Sequence, residues 1–278
     1  MSRPLTRTMR PLLAALGGLA LLAGCASNPL AGGGDLTVAM TDAPADDAES
    51  LTITVDEVQL VASGASGEAI TTVQVSDEVH AFDVLELDNG AAFEFGVLDL
   101  SEVPDGTYDQ VRLFLSEATI TIGGSMEGIR IPSEAQTGLK VNVEPALTVN
   151  EGMLGENAYV YLDFDAAHAV QLTADGYQMR PTAIRAVANP ETVQGSVLLE
   201  GAPVEDAHVT VYDAATDEIV TSTYSDANGD FAVVTLSEGD YYLVVEAAGA
   251  VSFTTATFTL ADGDVYAFGE ITLSVSTS

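Results

Sequence analysis

From Leu36 onward, apolar and polar residues alternate with a period of two, the repeat of a strand with one buried face, rather than the 3.6-residue repeat of a helix. In one long run Leu51, Ile53 and Val55 alternate with Thr52, Thr54 and Asp56, after which the phase slips and Val58, Leu60 and Ala62 continue it. One extra residue near Asp56-Glu57 predicts a β-bulge inside a long strand. Further strands are expected over 69–75, 79–85, 107–115, 117–122, 138–143, 158–164 and 182–188, with at most one turn of helix over 97–101. In the run 159–164, Val160, Leu162 and Phe164 fall on the buried face and Tyr159, Tyr161 and Asp163 on the outer one. Asn189-Pro190 marks a boundary, beyond which strands are expected over 192–199, 207–212, 218–224, 230–235, 241–247, 251–259 and 264–275. Many short strands with turn signals between them predict an all-β chain of two consecutive β-sandwich domains, 36–189 and 190–278.

The first 25 residues follow another rule. Arg3, Arg7 and Arg10 form a basic head, Pro11 to Ala23 an apolar run of 13 residues, and Gly24-Cys25 closes it. The run is shorter than the roughly 18 to 20 residues of a spanning helix, so it reads as a signal peptide over 1–24. Leu22-Ala23-Gly24-Cys25 resembles the bacterial lipobox, which implies that Cys25, the single cysteine, carries lipid. Several acyl chains, at about 0.8 kcal/mol per buried CH₂, make such anchoring stable. Ala26 after the cysteine, rather than Asp, resembles the outer-membrane pattern, and residues 25–35 read as a lipidated tether.

Charge narrows the functional classes. The chain has 8 Lys and Arg against 42 Asp and Glu, which excludes nucleic acid as a partner because phosphate backbones need a basic face. Cleavage before Cys25 removes three arginines and no acid, leaving Arg112, Arg130, Lys140, Arg180 and Arg185, a formal charge of 5 − 42, about −37. Acids spread along the whole chain fit an adaptation to high salt. With 47% hydrophobic residues the chain still has the material for a packed core.

Two family resemblances follow from longer stretches. LTVAMTDAP at 36–44, FDVLEL at 82–87, VPDGTYDQVRLFL at 103–115, IPSEAQTGLKV at 131–141, YLDFD at 161–165 and YQMRPTAIRAV at 177–187 together resemble domain-of-unknown-function family 4382. That family occurs in secreted and lipoprotein-anchored proteins and implies architecture rather than an activity. Residues 193–249, with Gly195, the turn Gly201-Ala202-Pro203-Val204, Asp226 to Gly229 and Gly239-Asp240-Tyr241, resemble the carboxypeptidase regulatory-like domain. This resemblance implies a transthyretin-like sandwich of seven strands, a structural or carbohydrate-like-binding module without catalysis.

Candidate chemistry is sparse. Tyr159, Tyr161, Asp163 and Asp165 form an outward row suited to stacking a sugar and accepting its hydroxyl hydrogens. Asp42, Arg112, Lys140, Arg180 and Arg185 are polar residues of the family motifs. The scarce cations are expected to satisfy buried or half-buried carboxylates such as Asp42 or Asp163, with Arg180 important for stability. Asp226, Asn228 and Asp230 have the alternate spacing of a calcium loop, but Phe231 stands where the loop needs Gly, and Asn228-Gly229 is a hairpin signal. His80, His168 and His208 lack metal-ligand spacing, and no G-x-S-x-G elbow or phosphate loop occurs, so no catalytic residue, metal or cofactor is expected. The expectation is a lipid-anchored envelope protein that binds a polysaccharide or a protein without catalysis. An accessory subunit of an envelope complex and a weak calcium-binding module are the alternatives.

Overall fold

The computed structural model describes residues 34–43, 48–64, 69–131, 138–153, 155–180 and 184–276. The signal segment, Cys25 and most of the tether lie outside them. The fold is all-β. The first sandwich is built from β1 (Asp35–Ala43), β2 (Ser50–Ser63), β3 (Ala69–Ser76), β4 (His80–Asp83), β5 (Phe93–Asp99), β6 (Gly106–Ile122), β7 (Ser125–Arg130), β8 (Leu139–Val149), β9 (Ala158–Asp165), β10 (Val170–Thr173), β11 (Gly176–Met179) and β12 (Ile184–Ala188). A four-residue helix, α1 (Ala166–Ala169), follows β9.

These strands share a network in the order β10-β11-β7-β6-β8-β12-β9-β1-β5, with β2 lying on β6 and carrying β3 and β4 on its other edge. The strands curl so that distant members of the network fill one core: Leu36, Val38 and Met40 of β1 pack in the same cluster as Leu51 and Ile53 of β2 and Leu113 of β6. Alternation explains the burial, since each of these residues sits two from the next along its strand. The β2–β6 register shifts at Thr54/Val55 and Val55/Glu57, where the sequence alternation slips.

Several expectations are corrected in detail. Residues 107–115 and 117–122 form one strand, β6, whose first half pairs with β8 and second half with β7. The strand expected over 79–85 stops at Asp83, because Asp83 Oδ1 accepts from the Leu85 amide and starts a 3₁₀ turn over Val84–Leu87. At 97–101 the chain is strand to Asp99, whose carboxylate then caps a 3₁₀ turn over Leu100–Glu102.

The second sandwich contains β13 (Glu191–Leu199), β14 (Ala202–Pro203), β15 (His208–Asp213), β16 (Ile219–Tyr224), β17 (Asp230–Leu236), β18 (Gly239–Glu246), β19 (Phe253–Thr254), β20 (Phe258–Leu260) and β21 (Val265–Leu273). One sheet is β14-β13-β17 with β21 on β13; the other is β16-β15-β18 with β19 and β20 on β18. Val193, Val209, Val211, Phe231, Leu243 and Val245 lie in the core between them. The strand expected over 251–259 is two short pieces, β19 and β20. Asn228-Gly229 is a tight turn, with Gly229 at φ 80° and Asp226 Oδ1 accepting from the amides of Asn228 and Asp230. It is not a hairpin, because β16 and β17 belong to opposite sheets.

Candidate functional site

Gly33–Ser278 form one compact unit, so the two sandwiches meet, and the chemistry concentrates where they do. In register, Asp163 of β9 lies between Thr41 of β1 and Arg185 of β12. The alternation places Asp163 away from the core of the first sandwich. That face is covered here by β17, and Asp163 is only 3% exposed. Its Oδ2 accepts from Arg185 Nε at 2.9 Å and Nη2 at 2.7 Å, and from the Thr235 hydroxyl at 3.1 Å. Arg185 Nη2 also approaches the Thr235 carbonyl at 3.3 Å. The Asp163 Oδ1 is buried without a hydrogen-bond partner among the described residues. The residue expected on an open sugar platform is thus part of a closed polar contact between sandwiches.

A second contact comes from the turn Asp88-Asn89-Gly90. Asn89 holds φ at 51° and Gly90 at 76°, a left-handed pair that turns the loop towards the second sandwich. The Asn89 amide nitrogen donates to the Asp230 carbonyl at 3.1 Å, its Oδ1 accepts from the Ala232 amide at 2.6 Å, and its backbone N–H donates to the Thr223 hydroxyl at 3.0 Å. Among the described residues β17 pairs with β13 alone, so Asn89 supplies its open edge with two bonds a neighbouring strand would make. Burial raises the carboxyl of Asp88 above its ordinary range, and Asp206 of the second sandwich raises it further. A sequence reading sees only a turn in Asn89-Gly90 and only strand residues in Thr223 and Thr235.

The remaining members of the expected platform separate. Tyr159 and Tyr161 stay side by side, ring centroids 6.4 Å apart and tilted by 42°, both half-buried. Burial raises the Tyr161 phenol, with Glu94 and Tyr159 adding to it. Asp165 caps α1, accepting from the His168 amide at 3.2 Å and meeting His168 Nδ1 at 2.7 Å. The four residues do not form one open surface. A second tyrosine pair, Tyr212 and Tyr242, stacks at 5.0 Å and 4° on the second sandwich, and the Tyr242 hydroxyl donates to Asp217 at 3.2 Å.

Of the motif cations, Arg185 meets Asp163. Arg112 donates from Nε to Gln110 Oε1 at 3.1 Å, and Lys140 is exposed. Arg180 is also exposed, with its backbone N–H on the Ala169 carbonyl; among the described residues it has no ion pair, and it does not meet Asp163, whose partner is Arg185. Asp42 lies in β1 opposite Phe164, and its side chain is outside the described residues.

Two open grooves border the junction. One, of about 450 Å³, is lined by Lys140, Asn142, Glu144, Arg185, Val187 and Ser237. The other, of about 280 Å³, is lined by Pro145, Asn189, Glu191, Ser237, Glu238 and Asp262. Glu191 Oε1 accepts from the Gly263 amide at 3.1 Å, while burial raises its carboxyl. Among the described residues no three carboxylates, histidines or cysteines converge on a metal position. In the loop with calcium-like spacing, Asp226 Oδ1 is bonded to its own backbone amides and Asp230 Oδ1 accepts from Ser196.

Fold and junction define an all-β protein of two joined sandwich modules. Residues 33–181 match the family model described as a domain of unknown function (DUF4382), and the chain belongs to that family. Residues 192–274 match the carboxypeptidase regulatory-like domain, and neither model describes a catalytic family. No curated protein matches the chain. Among solved structures, 3-chlorocatechol 1,2-dioxygenase from Rhodococcus opacus is similar at 14% identity and a TM-score of 0.24, over 31% of this chain and 59% of that one. The 5-hydroxyisourate hydrolase of Klebsiella pneumoniae is similar at 20% identity and a TM-score of 0.24, over 30% of this chain and 86% of that one. The TIE protein of Bacillus anthracis is similar at 13% identity and a TM-score of 0.27, over 88% of this chain and 34% of that one. The chain spans under three fifths of the length of the two dioxygenases from Rhodococcus opacus and Pseudomonas putida.

Proposed function

We propose that this protein is a non-catalytic binding or adhesion protein of the cell envelope, held at the outer membrane by lipid on Cys25 and directed at a polysaccharide. The observation that carries the reading is the junction. Asp163, Arg185 and Thr235 on one side and Asn89 on the other tie the two sandwiches together, with open polar grooves along the seam. A fixed seam with polar walls holds an extended, hydroxyl-rich ligand at little ordering cost. The leader and lipobox supply the address, and the resemblance of the second sandwich to carbohydrate-like-binding modules agrees with the ligand class.

The test is crosslinking on intact cells at native salt, followed by capture of the tagged protein and identification of what it retains. Retained polysaccharide supports the reading. A stoichiometric protein partner without polysaccharide overturns it in favour of an accessory subunit of an envelope complex. A Cys25→Ser variant released from the membrane fraction supports the lipid anchor, and one retained there as fully as the parent overturns it.

A further inference from the structure

Three of the five cations outside the leader share one sheet face. Strands β6, β8 and β12 are neighbours, and Arg112 stands directly opposite Lys140. Ala186 pairs with Val143, which sets Arg185 beside Asn142, one row along from Lys140. Val111, Leu113, Leu139, Val141, Ile184 and Ala186 are buried, so the interleaved cations stand on the face away from the core. Gln59 faces Arg112 from β2, and Gln110 faces Asn142 across β6 and β8, giving the patch amides as well as charges.

Directly opposed like charges on neighbouring strands destabilise a sheet. In a chain with 42 acids, a carboxylate beside each cation would be the simple remedy. Among the described residues neither Arg112 nor Lys140 has one; the ion pairs are Asp165 with His168 and Asp163 with Arg185. Arg185 is oriented through Nε and Nη2 by Asp163 and Thr235, and its Nη1 makes no hydrogen bond to a described residue. The Arg185 guanidinium and the Lys140 ammonium thus line one groove with Asn142, Glu144 and Ser237, and the Arg112 guanidinium stands opposite Lys140 on the neighbouring strand.

We propose that this face is the recognition site for an acidic oligosaccharide, with a sugar carboxylate or sulfate seated among Arg112, Lys140 and Arg185. Guanidinium and ammonium donors suit an oxyanion. Gln110, Asn142 and Ser237 offer both donors and acceptors to ring hydroxyls, and Glu144 accepts from one. An acidic peptide is the competing occupant, and retention of a protein without polysaccharide in the cell capture overturns the assignment. The groove volume is in the range that holds a small ligand. This inference rests on the polysaccharide reading and moves its site from the tyrosines of β9 to the cations of β6, β8 and β12. The charge of about −37 on the chain from Cys25 onward repels an anion at long range, so affinity rises as salt screens the far field and falls once the contacts themselves are screened.

The experiment is calorimetric titration of the mature chain at fixed ionic strength. The probes are tri-galacturonate, a sulfated galacto-trisaccharide, and the methyl ester of tri-galacturonate, which keeps the shape and removes the charge. Binding of either anionic probe in preference to the ester is expected. Lys140→Ala and Arg112→Gln, with melting temperatures near the parent's, should each weaken it about tenfold. Equal binding of acid and ester, or Lys140→Ala binding as tightly as the parent, overturns the site while leaving the polysaccharide reading in place. Binding of none of the three probes also overturns the site, whereas the reading itself fails only if cells yield no retained polysaccharide.

Discussion

Asp163 and Arg185 are unequal partners, because the side chain of Asp163 is 4% exposed and that of Arg185 37%. Removing the cation strands a buried carboxylate, whereas removing the carboxylate leaves a guanidinium that can turn to water. Arg185→Ala should therefore cost about 3 kcal/mol, the low end for a buried pair because Arg185 is already partly solvated. Asp163→Ala should cost about half of that, and urea unfolding of both variants measures the difference. Equal losses would contradict the asymmetry. Arg180 is exposed and has no such contact among the described residues, and its truncation should fall within about 0.5 kcal/mol of the parent. At this scale the sequence shows that cations are scarce and sit in family motifs, but not which of them meets Asp163. That choice depends on β12 lying next to β9, a pairing between strands that α1, β10 and β11 separate along the chain.

Strand β17 is the element on which the junction depends. One edge is paired to β13, and on the other Asn89 takes up the Asp230 carbonyl and the Ala232 amide. Asn89→Ala leaves a backbone N–H and a carbonyl without partners and should cost about 2 kcal/mol. Asn89→Asp keeps the acceptor for the Ala232 amide, loses the donor to Asp230, and should fall between Ala and the parent in urea midpoint. If Asn89→Ala unfolds at the parent's midpoint, the edge contact carries no stability. Elements with strong alternation, such as β2 and β9, are legible in the sequence because one face of each is filled by apolar side chains. Strand β7 is not: only Ile129 of its six residues is buried, and the strand exists because β6 and β11 pair with it. Strand β5 does alternate, with Phe93 and Phe95, but Gly96 breaks the pattern. A Cβ there would come within 2.6 Å of the Val75 carbonyl oxygen, so the glycine answers to a distant strand.

For the whole molecule the governing quantity is charge. Some 42 acids on one compact chain repel one another, and salt weakens that repulsion within a Debye length of about 10 Å at 0.1 M. The melting temperature of the chain from Cys25 onward should rise steeply between about 0.1 M and about 2 M NaCl; a flat profile would rule out self-repulsion as the main pH 7 destabiliser. The all-β class, the two sandwiches and the excess of acid were determined by the sequence alone, because they rest on local alternation and on counting. Tertiary structure decided which outward residues face water. Asp163, Tyr161 and Lys140 all point away from the first core, yet Asp163 is closed in by β17, Tyr161 is half-buried and Lys140 is exposed. Period-two alternation assigns a side chain to one of two faces, and only the packing of the second sandwich against the first decides what covers the outer one.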